Sequence, residues 1–207
     1  MPLIQISDSH VRDLDITNHY SCENGPALVR LKSSSLCSVT LELSDWNLHV
    51  AFDVKLEAMK IHCAQLSLEG NGRVHSLYLY VKSIKKTSPC FKILSTVRNL
   101  SLEKYLISNG ATSPPIHWDS LRRVLLNNFK EGALNSLTDG APHLSEVILE
   151  GTNLSDDQGC VSLRCRNLRL LKIENLENVK EIKVKKGKRE VAIVKGTRDT
   201  TISFVGA

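Results

Sequence analysis

The sequence predicts an α/β protein: an open, curved leucine-rich-repeat solenoid with a parallel β-sheet on the concave face and irregular arches or short helices on the convex side. The first observation is a short pattern with apolar residues at positions 1, 4 and 6, as in Leu144-x-x-Val147-x-Leu149. Alternation at positions 4 and 6 gives a strand with one buried face. The second observation is that the pattern recurs. One such unit can bury its apolar face only between stacked neighbours.

Recurrence of this unit extends along most of the chain. The matching units begin at Val11, Leu36, Leu56, Val74, Val97, Leu121, Leu144 and Leu168. Successive starts are 25, 20, 18, 23, 24, 23 and 24 residues apart, and leucine-rich repeats have periods of about 20 to 29 residues. Chance matching would not hold the last four spacings within one residue of each other. The repeat is therefore the organising feature of the fold.

The segments between the units are predicted to be arches with little regular helix. Pro26, Pro89 and Pro142 lie in these arches, where a missing backbone amide does least harm. Residues 131–137 and 156–163 are each expected to hold one or two turns of helix on the convex side. Apolar residues at helical spacing do not persist for longer, so long helices are not expected.

Two regions are predicted. Residues 1–184 form the solenoid of about eight irregular repeats, and residues 185–207 form a basic strand or hairpin that acts as a cap. The tail alternates on both sides of Gly187, which fits a hairpin, and a final repeat strand starting at Val191 is the alternative. Residues 1–6 lead almost directly into the first repeat, without an N-terminal cap. We therefore expect a fragment or a shortened gene product.

Composition argues against several classes of protein. The chain is 42% hydrophobic and 24% charged, which is ordinary for a folded globular protein. It shows neither an apolar run long enough to span a membrane nor a secretory leader, so a cytoplasmic or nuclear location is expected. The six cysteines have no Cys-x-x-Cys spacing and no histidine at zinc-ligand distances. Reduced thiols and no metal site are the expectation.

No catalytic site is predicted either. The seven histidines are scattered, with no Gly-x-Ser-x-Gly elbow, no His-Glu-x-x-His and no close group of His, Cys and acid. Neither enzyme activity nor a cofactor is expected. The net charge of +5 comes from the tail, because residues 169–198 alone carry +6. That tail has only Phe204 as a stacking aromatic, so nucleic-acid binding is not expected.

The outward residues of the strands, at positions 2, 3, 5, 7 and 8 of each unit, are predicted to form a groove for another protein. Tyr78 and Tyr80 stand two residues apart on this face, and aromatics beside arginines are typical of interface hot spots. The candidate partner-binding residues are Tyr78, Tyr80, Arg98, Lys104, Arg122, Arg123, Asn127, Asn128, Arg169 and Lys172. A plain solvated sheet face is the alternative interpretation of any one of them.

Three stretches carry a family resemblance. They are LTDGAPHLSEVILEG at 137–151, CRNLRLLKIEN at 165–175 and SLCSVTLELSDWNL at 35–48. These stretches resemble the repeats of plant F-box/LRR-repeat proteins, and the resemblance extends over about residues 28–184. It implies the recognition region of a substrate receptor of an SCF-type ubiquitin ligase, in which an F-box docks the Skp adaptor and the repeats hold a target protein.

The sequence departs from that family at one place. No F-box precedes Val11, so adaptor docking is assigned to no residue here, and a Skp adaptor is expected only if an F-box exists upstream. The first alternative is the repeat region of a plant intracellular immune receptor, although no Gly-x-x-x-x-Gly-Lys-Ser/Thr loop is present. A second alternative is a truncated, non-functional remnant.

Overall fold

The structure is a computed structural model that describes residues 2–7, 10–18, 25–84, 88–103, 117–153, 159–185, 190–196 and 199–205. Within these residues the chain winds through stacked coils, and the strands pair in parallel. In chain order the elements are β1 (Leu3–Ile6), β2 (Asp13–Thr17), β3 (Pro26–Leu31), β4 (Ser38–Phe52), β5 (Lys55–Glu69), β6 (Arg73–Ile84), α1 (Ser88–Leu94), β7 (Asn99–Glu103), β8 (Arg123–Phe129), α2 (Glu131–Gly140), β9 (Glu146–Asn153), β10 (Cys160–Leu163), β11 (Leu170–Glu177), β12 (Glu181–Lys185), β13 (Ala192–Lys195) and β14 (Thr201–Val205).

The main sheet consists of β2, the first parts of β4, β5 and β6, and then β7, β8, β9, β11 and β13. Its register places position 4 of every unit in one column: Leu14, Val39, Met59, Leu77, Leu100, Val124, Val147 and Leu171. Position 6 forms a second column: Ile16, Leu41, Ile61, Leu79, Leu102, Leu126, Leu149 and Ile173. From β4 to β11 both columns are buried. The predicted open solenoid with a parallel sheet is confirmed.

Strands also line the other side of several coils, and we call them the back strands: β1, β3, the second parts of β4 and β5, and β10, β12 and β14. In β4 the odd-numbered residues are buried up to Leu43, whereas the even-numbered ones are buried from Leu48 to Phe52. The register with β5 slips between Leu43 and Asn47, and the second part of β4 pairs with β3. Because the inward-facing parity changes at the slip, one long strand lines two sides of a coil.

Helices are short. The helix expected over residues 131–137 is confirmed as α2. The helix expected over residues 156–163 is wrong where the structure describes residues 160–163. These residues form β10, in which Val161 and Leu163 are buried and the strand pairs in parallel with β12. Residues 156–158 lie outside the described residues. Nowhere in the described part of the chain is a helix long and apolar enough to cross a membrane.

The tail adds one strand to the main sheet and one to the back strands. β13 pairs with β11, with Ile193 opposite Leu171, and β14 pairs with β12. Because β12 and β13 lie in different sheets, the hairpin alternative is wrong and a final repeat strand describes the segment. Its position 4 is Ile193, one residue earlier than a unit starting at Val191 requires. Capping by this tail stays a prediction.

One corner of the main sheet has the same backbone conformation in three successive coils. Asn128, Gly151 and Asn175 directly follow residues that are paired in register, and their φ angles are 52°, 73° and 46°. Such angles lie in the left-handed region that favours glycine and asparagine. The side-chain Oδ1 of Asn128 also accepts a hydrogen bond of 2.9 Å from the amide of Thr152. The corner marks where the regular pairing of the main sheet is interrupted.

Candidate functional site

Side chains that point away from the core of the main sheet form an outer face with straight rows, because the strands are in register. The row at position 5 reads Asp15, Thr40, Lys60, Tyr78, Ser101, Leu125, Ile148, Lys172 and Val194. Its centre, from Tyr78 to Ile148, is uncharged, and a lysine bounds it on each side. Within this centre Tyr78 is exposed and Leu125 is half-buried, whereas Ser101 is polar and Ile148 is only 3% exposed.

Tyr78 stands at one end of this centre with its side chain 47% exposed. A hollow of about 340 Å³ on one side of the ring is lined by residues that include His62 and Tyr80. A second hollow of about 200 Å³ is lined by residues that include Arg123 and Leu125. Both hollows reach Ser101, whose small side chain leaves open space beside the ring.

The aromatic ring of the row at position 7 belongs to Tyr80, and it is held more firmly than the ring of Tyr78. The rings of His62 and Tyr80 meet edge to face, with centroids 4.1 Å apart and planes at 73°. Burial lowers the pKa of His62, so the imidazole favours its neutral form. Beside them Lys60 Nζ donates a hydrogen bond of 2.6 Å to Glu42 Oε1, and this bond raises the pKa of Lys60. These contacts fix the floor of the larger hollow.

Charge changes sign along the strand direction of the outer face. Position 2, at the start of the strands, carries Arg12, His75, Arg98, Arg122 and Arg169, with Glu57 as an acidic member. Position 7 carries Glu42, Glu103, Glu150 and Glu174. The position 2 residues stack directly, since the amide of Arg98 donates to the carbonyl of His75 and that of Arg122 to the carbonyl of Arg98, each at 2.9 Å. The outer face therefore has a basic edge at position 2 and glutamates at position 7, of which Glu42 is paired with Lys60 and Glu174 with Lys172.

The predicted cationic residues lie on the outer face. Arg98, Arg122 and Arg169 are exposed at position 2. Arg123 is exposed at position 3, with its Nε 3.8 Å from Glu146 Oε2. Lys172 is half-buried at position 5, with its Nζ 2.7 Å from Glu174 Oε1. The register thus brings the arginines to one edge and leaves Lys172 on the far side of the uncharged centre from Tyr78.

The remaining predicted residues divide differently. Asn127 is half-buried at position 7, opposite Glu103 and Glu150. Asn128 belongs to the left-handed corner, and its side chain caps the amide of Thr152. Lys104 lies outside the described residues. Asn128 therefore has a structural role whether or not a partner reaches it.

The structure also shows a cleft that sequence reasoning missed. It has a volume of about 800 Å³ and lies at the edge where the strands begin, lined by residues that include Lys55, Arg73, Lys92 and Arg98. The sequence signal for two of these is slight: Lys55 and Arg73 each directly precede the first apolar residue of a unit. Nothing in the sequence alone shows that Lys92 joins them.

In the part of the chain that the structure describes, no group of three His, Cys, Asp or Glu residues is arranged to hold a metal ion. No family model, curated protein or solved structure matches the chain. What the fold and the outer face define is a class: an open solenoid of stacked coils with a broad parallel sheet.

Proposed function

We propose that the protein is a protein–protein interaction module whose outer face binds a segment of another protein around Tyr78. The observation that carries the proposal is the half-exposed Tyr78 ring with a hollow on each side. Aromatic side chains that meet a partner in such hollows supply much of the binding free energy of protein interfaces. Tyr78 and the half-buried Leu125 give the segment an apolar contact surface in the centre of the row at position 5.

In this proposal the charged residues of the outer face set the orientation of the bound segment. The arginines of position 2 and the glutamates of position 7 lie on opposite sides of the row at position 5, so they would flank a segment bound along that row. Complementary charges of that kind contribute more to specificity and association rate than to affinity. We therefore expect a partner with acidic residues on one side of its contact segment and basic residues on the other.

The resemblance to F-box/LRR-repeat proteins extends the proposal to the partner's fate. In that version the bound protein is a target of an SCF-type ubiquitin ligase, and the interaction takes place in the cytoplasm or nucleus.

Site-specific photocrosslinking tests the binding face. A benzophenone amino acid replaces Tyr78 in one version of the protein and Phe204 in the other. Phe204 is the matched control, since it is an aromatic residue with the same 47% exposure but lies on a back strand. We expect position 78 to form covalent adducts with a defined protein in cells, and position 204 to form none with that protein.

Affinity measurements with the purified crosslinked partner complete the test. Loss of a hot-spot aromatic costs about 2 kcal/mol, so Tyr78→Ala is expected to weaken binding roughly 30-fold. Phe204→Ala is expected to leave the affinity unchanged. A folded protein that yields the same adducts from both positions, or none from position 78, would contradict the proposal and favour the non-functional remnant.

A further inference from the structure

The cleft at the beginning of the strands concentrates positive charge. Four permanently charged side chains line it, from Lys55, Arg73, Lys92 and Arg98, together with His75. Asp119 is the one carboxylate among the described lining residues. These cations share one open volume and repel one another electrostatically. An anion that enters the cleft relieves this repulsion.

Arg73 and Arg98 have side-chain N–H groups that are available to a ligand. Within the described residues, neither Arg73 nor Arg98 makes a side-chain hydrogen bond or ion pair. Lys92 Nζ donates to Asn71 Oδ1 at 2.8 Å, an amide oxygen that leaves the charge of the lysine uncompensated. Lys55 Nζ lies 3.9 Å from Glu57 Oε1 in an exposed and therefore weak pair.

Two of the three hydroxyl groups that line the cleft, those of Ser95 and Thr96, are already engaged, and the third belongs to Ser120. Ser95 Oγ donates to the carbonyl of Lys92 at 2.9 Å, and Thr96 Oγ1 donates to the carbonyl of Ile93 at 2.7 Å. Recognition in the cleft therefore falls mainly to the cationic groups, which outnumber the one remaining hydroxyl group. Guanidinium groups present paired N–H donors whose geometry matches the oxygens of a phosphoryl group.

The dimensions favour more than one phosphoryl group. Lys55 and Arg73 are register partners on β5 and β6, and Arg98 directly precedes β7 on the next coil. Neighbouring strands are separated by about 4.8 Å, so the cations span about 10 Å. A volume near 800 Å³ also falls in the range of ligand pockets and exceeds what a single small ion fills.

We infer that this cleft binds phosphoryl groups, carried either by a small polyphosphate or by phosphorylated side chains of the protein held on the outer face. The second source rests on the proposed function. Its support is continuity: His75 lines the cleft and lies on β6 three residues before Tyr78. That separation is about 10 Å along a strand, so one extended segment reaches both places.

Calorimetric titration of the full chain with tripolyphosphate is the first measurement. We expect saturable one-to-one binding that Arg98→Glu weakens at least about tenfold, because a charge-assisted hydrogen bond is lost and a repulsive carboxylate replaces it. Arg73→Ala is expected to weaken it as well, which guards against a folding defect in one variant. Arg30→Glu is the matched control, an exposed arginine on the back strand β3 with the same charge change; it is expected to bind like the parent protein.

A second arm separates the two sources. The immobilised protein is offered a degenerate phosphothreonine peptide pool and its unphosphorylated counterpart. Arg98-dependent retention of the phosphorylated pool alone assigns the site to modified protein, and tripolyphosphate binding without such retention assigns it to a small polyphosphate. The inference is overturned if neither probe binds, or if Arg30→Glu and Arg98→Glu weaken binding equally. Crosslinking at position 78, tested separately, shows whether the proposed function survives such a result.

Discussion

Replacement of glycine by alanine is expected to have opposite effects at two positions of this solenoid. Gly151 lies in the left-handed corner with φ at +73°, and an added Cβ there would lie 2.5 Å from Asn127 Oδ1 and 2.7 Å from Asn128 Oδ1. Gly132 lies in α2, where an added Cβ would meet nothing within 4 Å. The same chemical change therefore tests the corner against an open helical site.

The magnitudes follow from the local geometry. An L-residue in the left-handed region costs about 1–2 kcal/mol, and displacement of Asn128 removes its hydrogen bond to the Thr152 amide, about 1 kcal/mol more. Gly151→Ala should therefore lower the free energy of unfolding by roughly 2–3 kcal/mol. Gly132→Ala should raise it by roughly 0.5–1 kcal/mol, because alanine loses less backbone entropy in a helix.

Urea unfolding followed by circular dichroism measures both changes. The slope of the free energy of unfolding against urea concentration must be compared between variants, because repeat proteins can unfold in parts and the slope then changes. Asn128→Gly isolates the hydrogen bond, because glycine accepts the φ of 52° at this position without strain, and it should cost about 1 kcal/mol. If Gly151→Ala is as stable as the parent protein, or if both glycine variants shift stability in the same direction, the left-handed corner is not built as described.

Two further predictions concern titratable groups. Burial raises the pKa of the Cys63 thiol to about 12, so iodoacetamide should label the half-buried Cys37 in the folded protein while Cys63 reacts only after unfolding; mass spectrometry showing equal labelling would contradict this. The pKa of His62 is lowered from its ordinary value of 6.5 by burial, so the unfolded chain takes up the proton first and stability should fall as the pH drops below 6.5 and through the folded value. His62→Gln should remove that part of the pH dependence, and identical pH profiles of the two proteins would refute the assignment.

The main sheet was predictable because its pattern encodes burial and pairing together. Positions 4 and 6 face the core, and the same residues are register partners from coil to coil, as Leu77 and Leu79 are with Leu100 and Leu102. The back strands were harder to predict. In β4 the inward parity changes between Leu43 and Leu48. Neither glycine nor proline stands between the two alternations, and Ser44, Asp45 and Asn47 are the weaker signals of a turn that the strand does not make.

The outer face was predictable from register alone, whereas the cleft was not. Tyr78 and Arg98 are outward because they follow buried positions of the pattern. Lys55 and Arg73 could have been paired from the sequence, because each precedes the start of a unit and the two starts are 18 residues apart. Lys92 instead comes from α1, and its position depends on how that helix packs, which the repeat pattern does not specify. The cleft as a whole was therefore not predictable.

Core residues and a residue of the proposed binding face alternate along β6. On β6, Leu77 and Leu79 are buried in the two columns that stack the coils, while Tyr78 between them is half exposed and packs into neither column. Stability of a solenoid is a sum over stacked neighbours, and a side chain outside that stacking contributes little to it. Tyr78 therefore need not be aromatic for the fold to form. This separation also explains why loss of binding in Tyr78→Ala would be attributable to the outer face, since the columns on either side of residue 78 remain intact.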